Sequence, residues 1–468
     1  MHQFAKNFTH DFSYSFLLNI VNLVVKSSFV FILPKTIGVA AFGYWQLYFL
    51  YTFFIAFGHL GLVDGVYLKY GGKFYQELDL RELRSQFWIL LGMGIIWCIL
   101  LLLYMHITHT DANKEFVLTI VACDLVLTLP RTLLSVIFQM TGMIKQYAFS
   151  LMSESVFSFT LIMIMLVLGV RDYEYFIFID LAGRMLSLCI SLINAPNFVG
   201  YCSLGIKALR TAISNISVGI YLLLSNMVGL VVVASVRFTI ESNWGIILFS
   251  KISLAFSIAS VVVTATSAAG IVLFPLLKRL KRENLQESYL SLSILLIILL
   301  ITGMIVYYPA TLLLKWWLPK YEESMYYLSI VLPMTFFDTQ FTVIGSNFLK
   351  VIRKERSLFS VNIFAVCFTL LSIVLTIKFD YTVEFLLYGL ILQSILKVFL
   401  TTCVLKKNIQ CDDVTALTIG LLAAGLFIVS NIIFRGTAGL LFYIVGYIVL
   451  ISIYRKKIQW AYTYLKMN

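Results

Sequence analysis

Residues 277–312 read LKRLKRENLQESYLSLSILLIILLITGMIVYYPATL. A basic cluster at 278–282 is followed by the run 289–312, which contains no charged residue. A helix needs roughly 20 apolar residues to cross the hydrocarbon core of a bilayer, and the cytoplasmic loops of membrane proteins carry an excess of Lys and Arg. This stretch therefore predicts a cytoplasmic loop followed by a membrane-spanning helix.

The same pattern repeats along the whole chain. Of the 35 Lys and Arg residues, 22 lie in every second gap between apolar runs, 8 lie in the other gaps and 5 lie inside runs. A missed span would swap the two sides downstream of it, so the sustained alternation indicates an even number of spans with both termini cytoplasmic. The predicted spans are 12–33, 45–66, 87–105, 116–139, 147–169, 175–194, 213–236, 247–274, 289–312, 325–348, 358–377, 383–404, 414–434 and 438–454.

The composition agrees with a single integral membrane unit. The 468 residues are 60% apolar and 12% charged, whereas soluble domains average about 25% charged residues. We therefore expect an all-α, polytopic integral membrane protein with about fourteen membrane helices. The net charge of +12 is explained by cytoplasmic loops that lie against anionic lipid, so membrane lipids are expected as partners and nucleic acid is not.

Signatures of soluble enzymes, cofactors and metals are not found in the sequence. It contains no P-loop, no G-x-S-x-G and no H-E-x-x-H. The seven cysteines form no C-x-x-C pair. His106 and His109 form an H-x-x-H without a third ligand nearby. We therefore predict a protein that is not an enzyme and that holds no cofactor or metal.

The two halves of the chain resemble each other. The basic loop after the second span (68–84) has a counterpart after the eighth (277–284), and the short loop after the fourth has one after the tenth. The period is six spans, and because six is even the two repeats are parallel. We predict two six-helix bundles followed by two additional helices and a basic cytoplasmic tail, with bounds 1–206, 207–407 and 408–468.

Ionisable residues inside the spans are the first candidates for function. A charge at the bilayer centre costs about 2.5–3.5 kcal/mol on insertion scales, so such residues are hypotheses of function by default. The embedded cations are Lys26, Arg131, Arg184, Lys251 and Lys397, and the embedded carboxylates are Asp124, Glu154, Asp180 and Asp338.

Some of these charges have a structural interpretation. Asp180 and Arg184 are four residues apart on one helix face and can pair. Asp124 and Arg131 are seven apart and can pair through water. Lys397 lies near the cytoplasmic end of its span, where a lysine can extend to the interface. Whether the embedded charges pair with each other or bind substrate is open at this point.

Lys26 and Lys251 have no acidic neighbour three or four residues away. They belong to the first and the eighth span, and thus to opposite halves of the predicted repeat. Two such cations are expected to line a central cavity, although Lys251 can instead extend to the outer interface.

The stretch from Leu33 to Lys73 contains the most specific motif. It includes FGYWQLY at 42–48, HLGLVDG at 59–65 and a Gly-Gly pair before the basic loop. Glycines four residues apart permit close helix packing, and His59 with Asp64 suggests either a proton path or a packed histidine. The motif residues are Gly43, Trp45, Gln46, Gly61, Asp64, Gly65, Gly71 and Gly72.

This stretch resembles the polysaccharide transporter family, the O-antigen and capsule repeat-unit flippases of the multidrug/oligosaccharidyl-lipid/polysaccharide (MOP) flippase superfamily. The resemblance implies two six-helix bundles around a cationic cavity. It also implies a substrate, an undecaprenyl-pyrophosphate-linked oligosaccharide. A polysaccharide polymerase and glycosyltransferases are the partners that such a role implies. Lys26 and Lys251 lie on the spans where lipid flippases of this superfamily use central basic residues.

We therefore expect Lys26 and Lys251, helped by Arg131 and Arg184, to hold the pyrophosphate. Asp124, Glu154, Asp180 and Asp338 are candidates for coupling an ion or for pairing with these cations. Two alternatives remain open. The first is an ion-coupled multidrug or small-solute antiporter of the same superfamily. The second is a membrane polysaccharide polymerase or ligase, which the short outer loops disfavour.

Overall fold

The computed structural model describes residues 2–108, 111–198, 200, 205–279, 284–409, 415–434 and 436–467. Within these ranges the chain is helical and contains no strand. Some residues used in the sequence analysis lie outside the described ranges: His109, Cys202, Lys281, Arg282, Cys411 and Arg435.

Sixteen α-helices can be numbered in chain order among the described residues. They are α1 (His2–Thr36), α2 (Val39–Ile55), α3 (Leu62–Tyr70), α4 (Leu80–Thr108), α5 (Ala112–Met140), α6 (Ile144–Val167), α7 (Tyr173–Asn194), α8 (Ile206–Arg279), α9 (Leu285–Ile305), α10 (Tyr307–Trp317), α11 (Glu322–Gln340), α12 (Ser346–Val351), α13 (Glu355–Lys378), α14 (Val383–Ile409), α15 (Thr415–Val429) and α16 (Gly436–Met467).

The predicted all-α membrane fold is confirmed. Thirteen helical stretches of the described residues are long and apolar enough to cross a membrane. They overlap the second to the fourteenth predicted spans, and the first predicted span, 12–33, lies within α1. The seventh and eighth predicted spans share α8, which is interrupted at Gly245 by a backbone φ of +79°.

The chain divides into two compact units, unit 1 (Met1–Leu230) and unit 2 (Val231–Asn468). In unit 1, α4 packs on α5, α6 packs on α7, and α1 packs along α6. In unit 2, α13 packs on α14, α9 on α16, and α11 on α14. The six-helix bundles over 1–206 and 207–407, with the two helices of 408–468, stay predictions.

The second predicted span is broken in the middle. α2 ends at Ile55, a 3₁₀ turn follows, and α3 begins only after Leu60 and Gly61, whose φ angles are +50° and +89°. Backbone groups freed by the break need partners inside a membrane. The Trp97 indole donates to the Gly58 carbonyl at 3.0 Å, and the Gly61 N–H donates to Nδ1 of His59 at 3.1 Å. The buried His59 thus supports the break, in agreement with a packed histidine.

α3 packs against the first part of α8 with backbone in direct contact, as predicted from Gly61 and Gly65. A methyl group added at Gly65 would lie within 2.6 Å of the Asn215 carbonyl carbon, and one at Gly61 would lie within 2.6 Å of the Gly219 carbonyl carbon. Gly219 faces Gly61 and Gly65 in return. Small residues let membrane helices approach this closely, so three glycines determine the distance between α3 and α8.

We predict that Gly65→Ala and Gly219→Ala each destabilise the protein, because the new methyl group meets backbone that cannot rotate away. Overpacking of this kind costs about 1–3 kcal/mol. Gly92→Ala in α4 is the matched control, since a methyl group there has nothing within 4 Å. Thermal unfolding of the purified variants in detergent tests this. Equal melting temperatures for Gly65→Ala and Gly92→Ala would contradict the close packing.

Candidate functional site

Unit 1 contains a buried cluster of charges contributed by three helices. Arg184 of α7 lies at its centre, and its Nη2 is 3.0 Å from Oδ2 of Asp180 on the preceding turn. The same guanidinium forms an ion pair with Asp124 of α5. Its Nε lies 3.7 Å from Oε1 of Glu154 on α6. Asp124, Asp180 and Arg184 are buried, so Arg184 neutralises carboxylates that water does not reach.

A second guanidinium completes the cluster. Arg131 of α5 forms an ion pair with Glu154, and its Nη1 lies 3.5 Å from the Ser187 hydroxyl. The predicted pair of Asp180 and Arg184 is confirmed. The pairing of Asp124 with Arg131 through water stays a prediction, and each of the two has a direct partner on a neighbouring helix.

Neutral side chains donate further hydrogen bonds to the carboxylates of the cluster. The Tyr48 hydroxyl of α2 donates to Asp180 at 2.9 Å, and its ring lies under the Arg184 guanidinium at 5.5 Å. The Thr128 hydroxyl donates to Asp124 at 2.6 Å. A buried ion pair is tolerated when such hydrogen bonds complete it. Sequence reasoning missed Tyr48 and Thr128, although Thr128 lies one turn from Asp124 on the same face.

This cluster contains more carboxylates than guanidiniums. Three carboxylates, Asp124, Glu154 and Asp180, share two guanidiniums, so the fully ionised cluster carries a formal charge of −1. In a medium of low dielectric constant an unbalanced charge favours uptake of a proton or another cation. The cluster is therefore able to bind one positive charge without rearranging its ion pairs.

Unit 2 contains a smaller pair of the same kind. Lys397 of α14 is buried, and its Nζ lies 3.4 Å from Oδ1 of Asp338 on α11. The ammonium also lies 4.2 Å from the ring centre of Phe341. The interpretation of Lys397 as extending to the interface is wrong, because a carboxylate and an aromatic face within reach hold its charge inside the helix packing.

The two units place these pairs on corresponding helices. In unit 1 the acid is on the fourth predicted span and the base is on the sixth, Asp124 with Arg184. In unit 2 they are on the tenth and the twelfth, Asp338 with Lys397. The acids of the two units are six spans apart, and so are the bases, which is the period predicted from the loops.

Lys251 also has a partner that the sequence did not indicate. Its Nζ lies 2.8 Å from Oε2 of Glu323, which is in the first turn of α11. The Glu323 side chain is 64% exposed, whereas that of Lys251 is 17% exposed. Lys251 thus lies in unit 2 beside an accessible carboxylate that a competing anion can replace.

Lys26 differs from the other embedded cations. Its side chain is exposed, and within the residues that the structure describes it has no ion pair. It lies on the same side of α1 as Asn22, which accepts from Ser155 of α6 at 2.8 Å, and as Phe29, whose ring packs on Phe159. The apolar exposed stripe of α1 lies on the opposite side, at Ile20 and Val24.

The motif residues serve the packing around these charges. Trp45 is buried among the rings of Phe29, Phe49 and Phe176, and Gly43 and Gln46 are buried beside it. Asp64 lies in the first turn of α3, 3.8 Å from Nδ1 of His59. After α3, Gly71 and Gly72 turn the chain, and Gly72 has a φ of +88°.

No metal site can be built from the described part of the chain, where no three His, Cys, Asp or Glu side chains are grouped to hold an ion. The sequence matches no protein-family model, and it matches no curated protein.

Solved structures do share the fold. The chain is similar to lipid II flippase MurJ in an inward closed conformation, with a TM-score of 0.61 and 14% identity over 96% of this chain and 99% of that one. It is also similar to an inward-facing MATE family multidrug resistance transporter of the MOP superfamily. That TM-score is 0.53, with 13% identity over 86% of this chain and 99% of the other. The chain therefore has the fold of MOP superfamily transporters.

We predict that Arg184→Gln strongly destabilises the protein, because it leaves three carboxylates with one guanidinium. Removing one partner of a buried pair costs about 3–5 kcal/mol. Adding Asp124→Asn to Arg184→Gln should recover part of the loss, and a double-mutant cycle on thermal unfolding measures the coupling. Lys407→Gln, at an exposed position of α14, is the control. An Arg184→Gln variant as stable as the wild type would contradict this account of the cluster.

Proposed function

We propose that this protein is a flippase that moves undecaprenyl-pyrophosphate-linked oligosaccharides from the cytoplasmic to the outer leaflet of the bacterial cytoplasmic membrane by alternating access. The glycan would serve the synthesis of a cell-surface polysaccharide. The fold supports this proposal, because a structure described as a lipid II flippase matches nearly the whole chain. The motif between Leu33 and Lys73 supports the same class of substrate.

The exposed Lys26 is the observation that carries the proposal. An unpaired ammonium inside a membrane span needs an anion, and a pyrophosphate supplies one with several acceptor oxygens. The embedded carboxylates Asp124, Glu154 and Asp180 already have guanidinium partners, so the excess charge of the cluster suits a proton or a small ion better than an organic cation. The distribution of free charge therefore favours an anionic head group over a cationic solute.

The other proposed phosphate ligands are paired in this structure. Lys251 can exchange the exposed Glu323 for a phosphate at little cost, because Glu323 then returns to water. Arg131 and Arg184 would reach the substrate only if the cluster opened. We therefore propose Lys26 as the first contact and Lys251 as the second. In this proposal Arg131 and Arg184 bind at a later step.

The energy source follows from the same charges. An inside-negative potential favours outward movement of an anionic head group by about 2.3 kcal/mol per charge per 100 mV. The formally negative cluster of Asp124, Glu154 and Asp180 is proposed to bind a proton or another cation during the cycle, and Asp338 has the corresponding place in unit 2. Membrane glycosyltransferases and a polymerase would supply and consume the substrate.

We predict that Lys26→Ala weakens the binding of undecaprenyl pyrophosphate to the purified protein at least about tenfold, which corresponds to about 1.4 kcal/mol. Lys26→Arg should bind nearly as well as the wild type, because the charge remains. Lys407→Ala, which removes an exposed lysine from the end of α14, is the matched control. Native mass spectrometry or a quenching titration measures the affinities. Unchanged binding by Lys26→Ala would remove the main support for the proposal.

A cation-coupled antiporter is the second candidate, favoured by the excess carboxylate of the unit 1 cluster and by the likeness to a MATE transporter. This candidate predicts proton-driven release of tetraphenylphosphonium from proteoliposomes, which Glu154→Gln abolishes and Lys26→Ala spares. The flippase predicts no such release by the wild type. Measurement of cation efflux on an imposed pH gradient separates the two.

A further inference from the structure

Unit 2 contains a half-open cavity of about 810 Å³, and one of its rim residues, Glu323, is the partner of Lys251. The cavity forms where five helix ends meet. α9 ends and α10 begins around Val306, α11 begins at Glu322, a π-helical turn at 430–434 follows α15, and α16 begins at Gly436. The loop beside it carries Lys315 and Lys320, which belong to the predicted outer side. The size is within the range of about 300–1,000 Å³ typical of small-molecule sites.

The deep wall of this cavity is aromatic and polar. The buried Tyr308 hydroxyl is hydrogen bonded to Ser430. The Asn431 amide nitrogen donates to the Phe427 carbonyl at 2.8 Å, whereas among the described residues no hydrogen bond is formed by its amide oxygen. The Tyr307 hydroxyl donates to the Met325 carbonyl at 2.9 Å. The cavity thus offers ring faces together with hydroxyl and amide groups.

The rim of the cavity is electrically balanced. Its lining includes two lysines and two glutamates, and they are largely engaged. Lys315 pairs with Glu322 at 2.8 Å, and Glu323 pairs with Lys251 at 2.8 Å. The lining by itself carries no net formal charge. Lys251 lies outside the lining, so among the described residues Lys320 is the rim charge that remains outside these pairs, and it is exposed to solvent, which screens it. The ligand that suits it carries no net charge.

An acyl chain is also a poor fit. Apolar residues such as Leu312, Leu440 and Ile444 form one side, but a hydrocarbon would leave the Asn431 amide oxygen, which has no hydrogen bond among the described residues, without a donor. Such a loss costs roughly 1–3 kcal/mol in proteins. A ligand with apolar faces and several hydroxyls satisfies both kinds of surface.

We propose that this cavity is a binding site for a neutral saccharide, held by its C–H faces against the tyrosine rings and by its hydroxyls at Asn431 and the rim. The site lies wholly in unit 2 and does not involve Lys26 or the unit 1 cluster. Its rim includes Glu323, the partner of Lys251, so the site adjoins the second proposed phosphate ligand, but it is proposed to bind sugar without Lys26 and without the lipid. The proposal goes beyond the proposed function, because it adds a separate saccharide site on the side of the membrane that is predicted to be external.

Binding of free trisaccharides to the full-length protein in nanodiscs tests this proposal. Maltotriose, mannotriose and chitotriose are the probes, measured by saturation-transfer NMR and calorimetry. We expect at least one of them to bind. Thr437→Trp, which fills the cavity from the first turn of α16, should weaken that binding at least about tenfold. Val445→Trp, at a 61% exposed position of α16 outside the lining, should leave it unchanged.

A second variant tests the site without adding a bulky side chain that could prevent folding. Tyr326→Ala removes a 39% exposed ring from the cavity wall and should lower saccharide affinity with little effect on thermal stability. Lys26→Ala should bind the trisaccharide like the wild type, so that failure of this proposal is distinguishable from failure of the flippase proposal.

Three results would overturn the saccharide site: no binding of any probe, equal binding by wild type and Thr437→Trp, or immobilisation of a spin-labelled phospholipid that Thr437→Trp abolishes. The last result would assign the cavity to lipid.

Discussion

A charge inside a bilayer must be neutralised close by, because neither water nor mobile ions reach it. This constraint accounts for the ion pairs of the embedded charges. Arg184 gathers three carboxylates from three helices, Lys397 holds Asp338, and Lys251 reaches Glu323. Apart from Asp180–Arg184, which lies within α7, each pair joins two different helices, so charge neutralisation also favours particular contacts between helix faces.

Two features of unit 1 depart from this local neutralisation of charge. Lys26 is exposed on the packed side of α1 without an ion pair among the described residues, and the unit 1 cluster has one carboxylate more than it has guanidiniums. In the proposed function, Lys26 would bind the anion that moves outward, and the cluster would bind the positive charge that returns, in the two halves of an alternating-access cycle.

Local periodicity was sufficient to predict part of this structure. Membrane spans follow from apolar length, the Asp180–Arg184 pair follows from one helical turn, and the contact at Gly61 and Gly65 follows from small residues four apart. The Asp124–Arg184 and Lys251–Glu323 pairs join residues 60 and 72 positions apart. Only helix packing brings such residues together, so neither pair could be read from spacing. The cavity of unit 2 depends on where several helices begin and end, and helix boundaries are what sequence patterns determine least.

This chain shares its fold with MOP superfamily transporters, and one fold can host different substrates. The measurement that tests the flippase most directly is transbilayer movement of a fluorescent undecaprenyl-pyrophosphate oligosaccharide in proteoliposomes, followed by the loss of fluorescence to an external reductant. The account predicts movement that requires the wild-type protein and that becomes faster when an inside-negative potential is imposed. Folded, reconstituted protein that moves none of several such lipids, with or without the potential, would contradict it.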